Sequence, residues 1–284
     1  MQKLNEKEKD MYDFAYRLLH NAGMKLKNRG KDGRIKVMKK TSHADLVTED
    51  DIFVEKYLIE EIKEKYREHH IISEEGIHCL DRRCVAYTWI IDPIDGTTNY
   101  FRFGKDYAIS LALYKEKRPV FGLVYDVAKE VVYGGKGGEG AWMNEKRQYP
   151  LLKKVEKLNE SVAAISLRTI KELTNYRMNI LDMLSRAQAY RYLGCASLEI
   201  CKVANGEYDL FISSNVYIWD IAAAQVYIEE MGGFILSYNK NPEASFDGKF
   251  FVAAFRSPGL WNEVSPFFPE QIKEKLANSL YIAD

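Results

Sequence analysis

Trp89-Ile90-Ile91-Asp92-Pro93-Ile94-Asp95-Gly96-Thr97-Thr98-Asn99 is the stretch that decides how this chain is read. It closes an apolar run, Val85 to Ile91, of the length of a buried strand, which Asp92-Pro93 should halt. Asp95 follows three residues later, so a turn brings both carboxylates to one point. Adjacent carboxylates repel each other unless a cation neutralises them. Hard oxygen donors without His or Cys select Mg2+ or Mn2+ over zinc. Gly96 lets the backbone come close to a ligand, and Thr97 and Thr98 add N–H groups and hydroxyls. A helix opening there would aim its first amides at phosphate oxygens. For a DPxDG string alone, an ordinary turn between two elements is the plain alternative. The strand before it and the donors after it make the whole string far more specific.

Upstream, Met11, Phe14, Ala15, Leu18, Leu19 and Ala22 have the spacing of an amphipathic helix over Lys9–Lys27, ended by Gly30 and Gly33. A second helix is expected from Asp51 to about Tyr66, with Phe53, Val54, Tyr57, Leu58 and Ile62 as its buried stripe. Glu49, Asp50 and Asp51 suit its positive N-terminal end, and dipole complementation alone would account for them. Downstream, Tyr107–Tyr114, Val120–Asp126 and 129–133 read as an antiparallel meander. Helical patterns return around Ile170–Ser185, Ser197–Asn205 and Ile221–Met231, the last closed by Gly232-Gly233. Helices, then many strands, then a mixture make this an α/β or α+β layered protein rather than a regular βαβ repeat.

Composition excludes several classes. Lys plus Arg and Asp plus Glu both number 41, so the chain lacks the basic excess that drives nucleic-acid binding. The cysteines, Cys79, Cys84, Cys195 and Cys201, contain no CxxC pair and fit a reducing compartment. His69, His70, His78, Cys79 and Cys84 match no compact zinc spacing. The charged start lacks the apolar core of a signal peptide, and no stretch has the length of a membrane span, so the expectation is a soluble cytoplasmic protein. Gly135-Lys136-Gly137-Gly138-Glu139-Gly140 satisfies G-x-G-x-x-G, but no convincing helix or distal acid follows, and a glycine-rich hairpin is the better account.

Trp89–Asn99 resembles the first signature of the inositol monophosphatase family. Trp219-Asp220-Ile221-Ala222-Ala223-Ala224 with Gly232-Gly233 resembles its second. Asp45-Leu46-Val47-Thr48-Glu49-Asp50-Asp51 is similar to the family's DLVTxxD segment, and Ile72-Ser73-Glu74-Glu75 to its strand-end Glu-Glu. The four pieces stand in order over roughly residues 9 to 233. The resemblance implies an αβαβα five-layer sandwich, with an N-terminal α+β half over 1–150 and a C-terminal α/β half over 151–284. It implies Mg2+-dependent hydrolysis of a small phosphate monoester, with two or three ions per site and Mn2+ as a substitute.

By that resemblance, Glu74, Asp92 and the Ile94 carbonyl hold one ion. Asp92, Asp95 and Asp220 hold a second, and a third, weaker one lies near Glu74. Asp51 and Thr97 orient the attacking water, with Asp50 the alternative to Asp51, and the Gly96 and Thr97 amides grip the phosphate. Asp220 should also open its helix as the N-cap. Gly194-Cys195-Ala196-Ser197 resembles the family's substrate-contacting turn, which makes Gly194 and Ala196 substrate residues. Ser213 stands where inositol-selective relatives usually carry a glutamate, and this leaves room for broad action on sugar phosphates, including fructose 1,6-bisphosphate. Relatives acting on 3′-phosphoadenosine 5′-phosphate share the metal motifs. A catalytically silent binding module would have lost a ligand, yet every acid is present. A homodimer and inhibition by lithium are further implications of the family.

Overall fold

The computed structural model describes residues 2–30, 37–39, 46–76, 87–116, 118–152, 155–241 and 248–277. The chain opens with α1 (Glu6–Gly30), a two-stranded ribbon of β1 (Val37–Lys39) and β2 (Leu46–Thr48), and α2 (Glu49–Lys65). Acids in the first turn and bases in the last complement the dipole of both helices. Next come β3 (His70–Ser73), β4 (Tyr87–Asp95), the short α3 (Thr97–Phe103), β5 (Ala108–Lys115), β6 (Arg118–Asp126), β7 (Val131–Lys136), β8 (Gly140–Met143) and β9 (Lys146–Gln148). These strands form one seven-stranded sheet in chain order, antiparallel except for the β3–β4 pair.

The remaining elements build a second sheet and its covering helices. They are β10 (Val162–Ile165), α4 (Leu167–Asn175), α5 (Ile180–Arg186), β11 (Ala189–Arg191), α6 (Ala196–Asn205), β12 (Leu210–Val216), α7 (Ile218–Glu230), β13 (Phe234–Asn239), β14 (Phe250–Phe255), α8 (Pro258–Val264) and α9 (Glu270–Ala277). The sheet runs β11-β10-β12-β14-β13. The single helical pattern expected over Ile170–Ser185 is thus two helices, broken where Arg177 takes a positive φ of 60°.

Three apolar cores separate five layers. Met11, Leu19, Leu58 and Ile62 of α1 and α2 pack on Trp89, Ile91 and Phe121 of the first sheet. On its other face, Ala112 and Val124 meet Cys201 of α6 and Ala222, Ala223 and Tyr227 of α7, which also cover Phe211 and Ala254 of the second sheet. Leu173, Met183 and Leu260 seal the far face against Ile212, Phe251 and Phe255. This is the αβαβα sandwich. No described helix is long and apolar enough to cross a membrane.

Two glycines set how closely α7 lies on the first sheet. A Cβ on Gly122 would stand 2.2 Å from the Ala223 carbonyl oxygen, and one on Gly135 would stand 2.7 Å from the Tyr227 nitrogen. The glycine-rich hairpin is therefore a β7–β8 turn whose first glycine seats a helix. Of the sequence expectations, Asp45, Gly33, His78, Cys79 and Cys84 lie outside the described residues.

Candidate active site

β4 does not stop at Asp92. It continues to Asp95, and its pairing with β5 slips between Asp92↔Ser110 and Asp95↔Ala108, so three steps on β4 oppose two on β5. Residues three apart on a regular strand face opposite sides; one extra residue reverses that parity and turns both aspartates to the same side. Pro93 sits inside this bulge, where its missing N–H costs no ladder bond. The correction is therefore in the device, a bulge within a strand rather than a turn after it.

Asp95 is drawn across to the start of α6. Its carboxylate accepts from the Ser197 amide and hydroxyl, each at 2.6 Å, from the Ala196 amide at 3.2 Å and from Cys195 Sγ at 3.2 Å. Gly96, with φ +87°, makes this approach possible: a Cβ there would lie 3.1 Å from Cys195 Cβ and 3.2 Å from the Gly194 oxygen. Asn99 Nδ2 donates to the carbonyls of Asp106 and Leu193, both at 2.8 Å, and pins the same turn from α3.

Asp92 is buried and holds the Ile94 amide at 3.0 Å. Burial first, then the charges of Glu74, Asp95 and Asp220, push its carboxyl well above the usual range. Asp220, half-buried, is pushed up by burial and by Asp95 and Glu74, with a hydrogen bond from Asp92 opposing. Asp220 is not the N-cap of its helix. Tyr217 holds that position, and Asp220 is the third helical residue, accepting the Tyr217 amide at 2.8 Å.

Asp51 plays the same part in α2. Thr48 caps the helix, and the Asp51 carboxylate accepts the Thr48 amide at 2.7 Å and the Thr48 hydroxyl. Its other oxygen receives the Thr97 hydroxyl at 3.1 Å. Burial raises the Asp51 carboxyl to about 7, against the Thr48 bonds. Its neighbour Asp50 is engaged elsewhere, by Arg29 and by the Tyr100 hydroxyl at 2.7 Å. Of the two aspartates, Asp51 is the one that meets Thr97.

A cavity of about 210 Å3 opens beside these acids. Asp95, Gly194, Ala196, Ser213 and Asp220 all line it, so the structure brings the expected sugar contacts together with two of the acids, while Gly96 and Thr97, the expected phosphate donors, are not part of its lining. Arg168, Tyr192, Glu199 and Asn215 line it too, and sequence reasoning missed them. An acid inside the apolar face of α6 was the one available signal, and it belonged to Glu199. That carboxylate accepts the Leu193 amide at 2.8 Å and is raised to about 8 by burial.

A hard divalent cation suits this donor set. Glu74, Asp95 and Asp220 raise the pKa of Asp92 by their charges, and the nearby thiol of Cys195, pushed up by burial, is no thiolate ligand. Two buried polar atoms without a partner among the described residues, Ser73 Oγ and Trp219 Nε1, immediately precede Glu74 and Asp220 in the chain. Among the described residues no group of three or more His, Cys, Asp or Glu side chains forms a ready-made metal cage.

The sequence model of the inositol monophosphatase family matches residues 7–280. Inositol-1-monophosphatase of Bacillus subtilis (strain 168) is 35% identical over 208 residues, 72% of this chain and 76% of that protein. Inositol monophosphatase 1 of Bos taurus is 33% identical over 237 residues, 81% of this chain and 84% of that one. The solved structure of SaIMPase-II bound to inositol monophosphate superposes with a TM-score of 0.76 at 26% identity, covering 94% of this chain and 96% of that one. Fold and relatives together define the class, a phosphoric monoester hydrolase built as an αβαβα sandwich. The chain belongs to the inositol monophosphatase family.

Proposed function

We propose that this chain hydrolyses small sugar or polyol phosphates, inositol monophosphate among them, with Mg2+ held by Glu74, Asp92, Asp95, Asp220 and the Ile94 carbonyl. The observation that carries this reading is the convergence of Glu74, Asp95 and Asp220 on Asp92, whose carboxyl their charges push up, with Asp95 and Asp220 lining the cavity. Mg2+ bound there supplies positive charge against the phosphoryl oxygens and acidifies water, and Mn2+ can substitute.

The chain's own residues supply the proton path. Thr97 Oγ lies 3.1 Å from both Asp51 Oδ1 and the Ile94 carbonyl, and it has one proton to give. A cation taken up by the Ile94 carbonyl would leave that proton to Asp51 and the Thr97 oxygen free to accept one from the attacking water. The water's proton is taken up by Thr97 and the Thr97 proton passes to Asp51 Oδ1. A carboxyl raised to about 7 is matched to that task near neutral pH. The Gly96 and Thr97 amides are the proposed phosphate donors, and Gly194, Ala196 and Ser213 the sugar contacts.

Ser213 is shorter than glutamate and uncharged, which supports a broad substrate range. Arg168 in the cavity lining favours a second reading, a sugar bearing a further anionic group such as fructose 1,6-bisphosphate or a nucleotide phosphate. We also assign the family's homodimer, its lithium sensitivity and a cytoplasmic location to this chain. Residues 1–150 and 151–284 are read as its two halves, which agrees with the gap between β9 and β10. Phosphate release from inositol 1-phosphate, sugar bisphosphates and nucleotide phosphates, with Mg2+ and with chelator, tests the reading. Turnover that chelator leaves intact would contradict it.

A further inference from the structure

The β12 wall of the cavity is braced from behind by a largely buried polar network. Ser213 and Asn215 of β12 line the cavity, while Ser214 between them does not and bonds to α4 instead. Ser214 is buried, and all three of its polar groups are engaged. Its amide donates to Thr169 Oγ1 at 3.4 Å, its hydroxyl donates to Glu172 at 2.9 Å, and its carbonyl accepts Lys240 Nζ at 3.0 Å. Lys240, just past the end of β13, also pairs with Glu172. Thr169 in turn accepts the hydroxyl of Ser166 at 2.9 Å, and Ser166 itself lines the cavity as the N-cap of α4.

The brace sits where the sheet is irregular. The pairing of β12 with β14 slips between Ser213 and Val216, so the ladder alone does not hold Ser213 and Asn215 in place. Three elements meet on Ser214 instead: α4 through Thr169 and Glu172, the end of β13 through Lys240, and β12 itself. Arg168 is adjacent to Thr169 on the same first turn of α4.

We infer that Glu172 and Lys240 are positioning residues for substrate selection: through Ser214 they fix Ser213, Asn215, Ser166 and Arg168 around the bound sugar, without touching substrate or acids. The inference rests on the proposed reading of the cavity as a phosphate-ester site. A network with a purely structural role would lower thermal stability when broken and leave selection alone. A positioning network moves KM for substrates that use the wall and spares those that do not.

The test compares inositol 1-phosphate, which offers a ring of hydroxyls to the wall, with p-nitrophenyl phosphate, which offers none. Lys240→Met should raise KM for inositol 1-phosphate about tenfold, the scale of a modest loss of alignment. Its kcat, its Mg2+ dependence and its KM for p-nitrophenyl phosphate should stay within about twofold of wild type. Lys240→Arg, which keeps the charge and a donor, should recover most of the loss. Ser214→Ala, a milder cut to the same network, should move the same ratio in the same direction and covers the case in which Lys240→Met does not fold. Unchanged KM for inositol 1-phosphate in a folded Lys240→Met or Ser214→Ala variant overturns the inference and leaves the phosphatase reading standing. A wild-type chain that turns over neither ester overturns both.

Discussion

The two sheets contribute to the cavity in opposite ways. The seven-stranded sheet and the helices beside it bring charge: Glu74 follows β3, Asp92 and Asp95 share the bulged end of β4, and Asp51 opens α2. The five-stranded side brings mostly neutral groups, the 193–197 turn and the β12 wall, with Asp220, Glu199 and Arg168 its charged residues in the cavity. Neither side is self-sufficient. Asp95 of the first is held by amides, a hydroxyl and a thiol of the second, and α7 lies against Gly122 and Gly135 of the first sheet so that Asp220 reaches Asp92. Concentrating repelling charges on one side and donors on the other separates two tasks. In the proposed reading, chemistry follows the acids and selection follows the wall.

The largest expected effect comes from removing charge on the first side. Asp95→Asn keeps one of the two oxygens that take the Ala196 and Ser197 amides and loses a ligand charge. Turnover should fall by about 10^3-fold, equivalent to about 4 kcal/mol of transition-state stabilisation. The melting temperature should hold or rise, because Asp95 is one of the charges that raises Asp92. Near-normal Mg2+-dependent turnover by this variant would break the division of tasks.

Lithium probes the same side without mutation. It should inhibit in the millimolar range, uncompetitively, by occupying a magnesium site after hydrolysis and slowing phosphate release. Initial rates across substrate concentration, with and without lithium, decide this. Complete indifference would place the loosest ion outside the acids named here.

On the other side, Ser213→Glu should raise kcat/KM for inositol 1-phosphate relative to linear sugar phosphates by about ten- to a hundredfold. That is the worth of one charge-assisted hydrogen bond, about 1.5–3 kcal/mol. Metal dependence should not change. A wild-type enzyme that already prefers inositol phosphate a thousandfold would show that other wall residues read the sugar.

The smallest effect is on stability. Burial lifts the Glu199 carboxyl from 4.5 to about 8, so the folded chain holds this proton more tightly than the unfolded one. The stability linked to it is present at low pH and is lost as the pH climbs from about 4.5 through about 8. Glu199→Gln should therefore flatten the fall in melting temperature across that window relative to wild type, both in chelator. Parallel curves would show that the Leu193 amide, not burial, governs this carboxyl.

Much of this was legible along the chain because it is written in neighbours. The Trp89–Asn99 string contains its strand, both acids and the glycine within eleven residues, and the amphipathic stripes of α1, α2 and α7 repeat at helical spacing. What the chain concealed depends on pairing across strands. The bulge that turns Asp92 and Asp95 to one side exists only against Ser110 and Ala108 of β5. Asp220 was misplaced by three positions within its helix, since Tyr217 gives no capping signal of the usual Ser, Thr, Asp or Asn kind. Arg168, Tyr192 and Asn215 have ordinary local settings and become cavity residues only when α4, the 193–197 turn and β12 are brought together. Gly135 belonged to a G-x-G-x-x-G string read as a glycine-rich hairpin, and its use is to admit the backbone of α7.

The central claim is that acids of both sides close on the same cations. Crystals of the wild-type chain grown with Mn2+, measured at the manganese absorption edge, test it most directly. The account predicts anomalous peaks at Asp92, one shared with Glu74 and the Ile94 carbonyl and one shared with Asp95 and Asp220. Occupied manganese sites that leave out Asp92, or a site formed by the first side with Asp220 turned away, would contradict it.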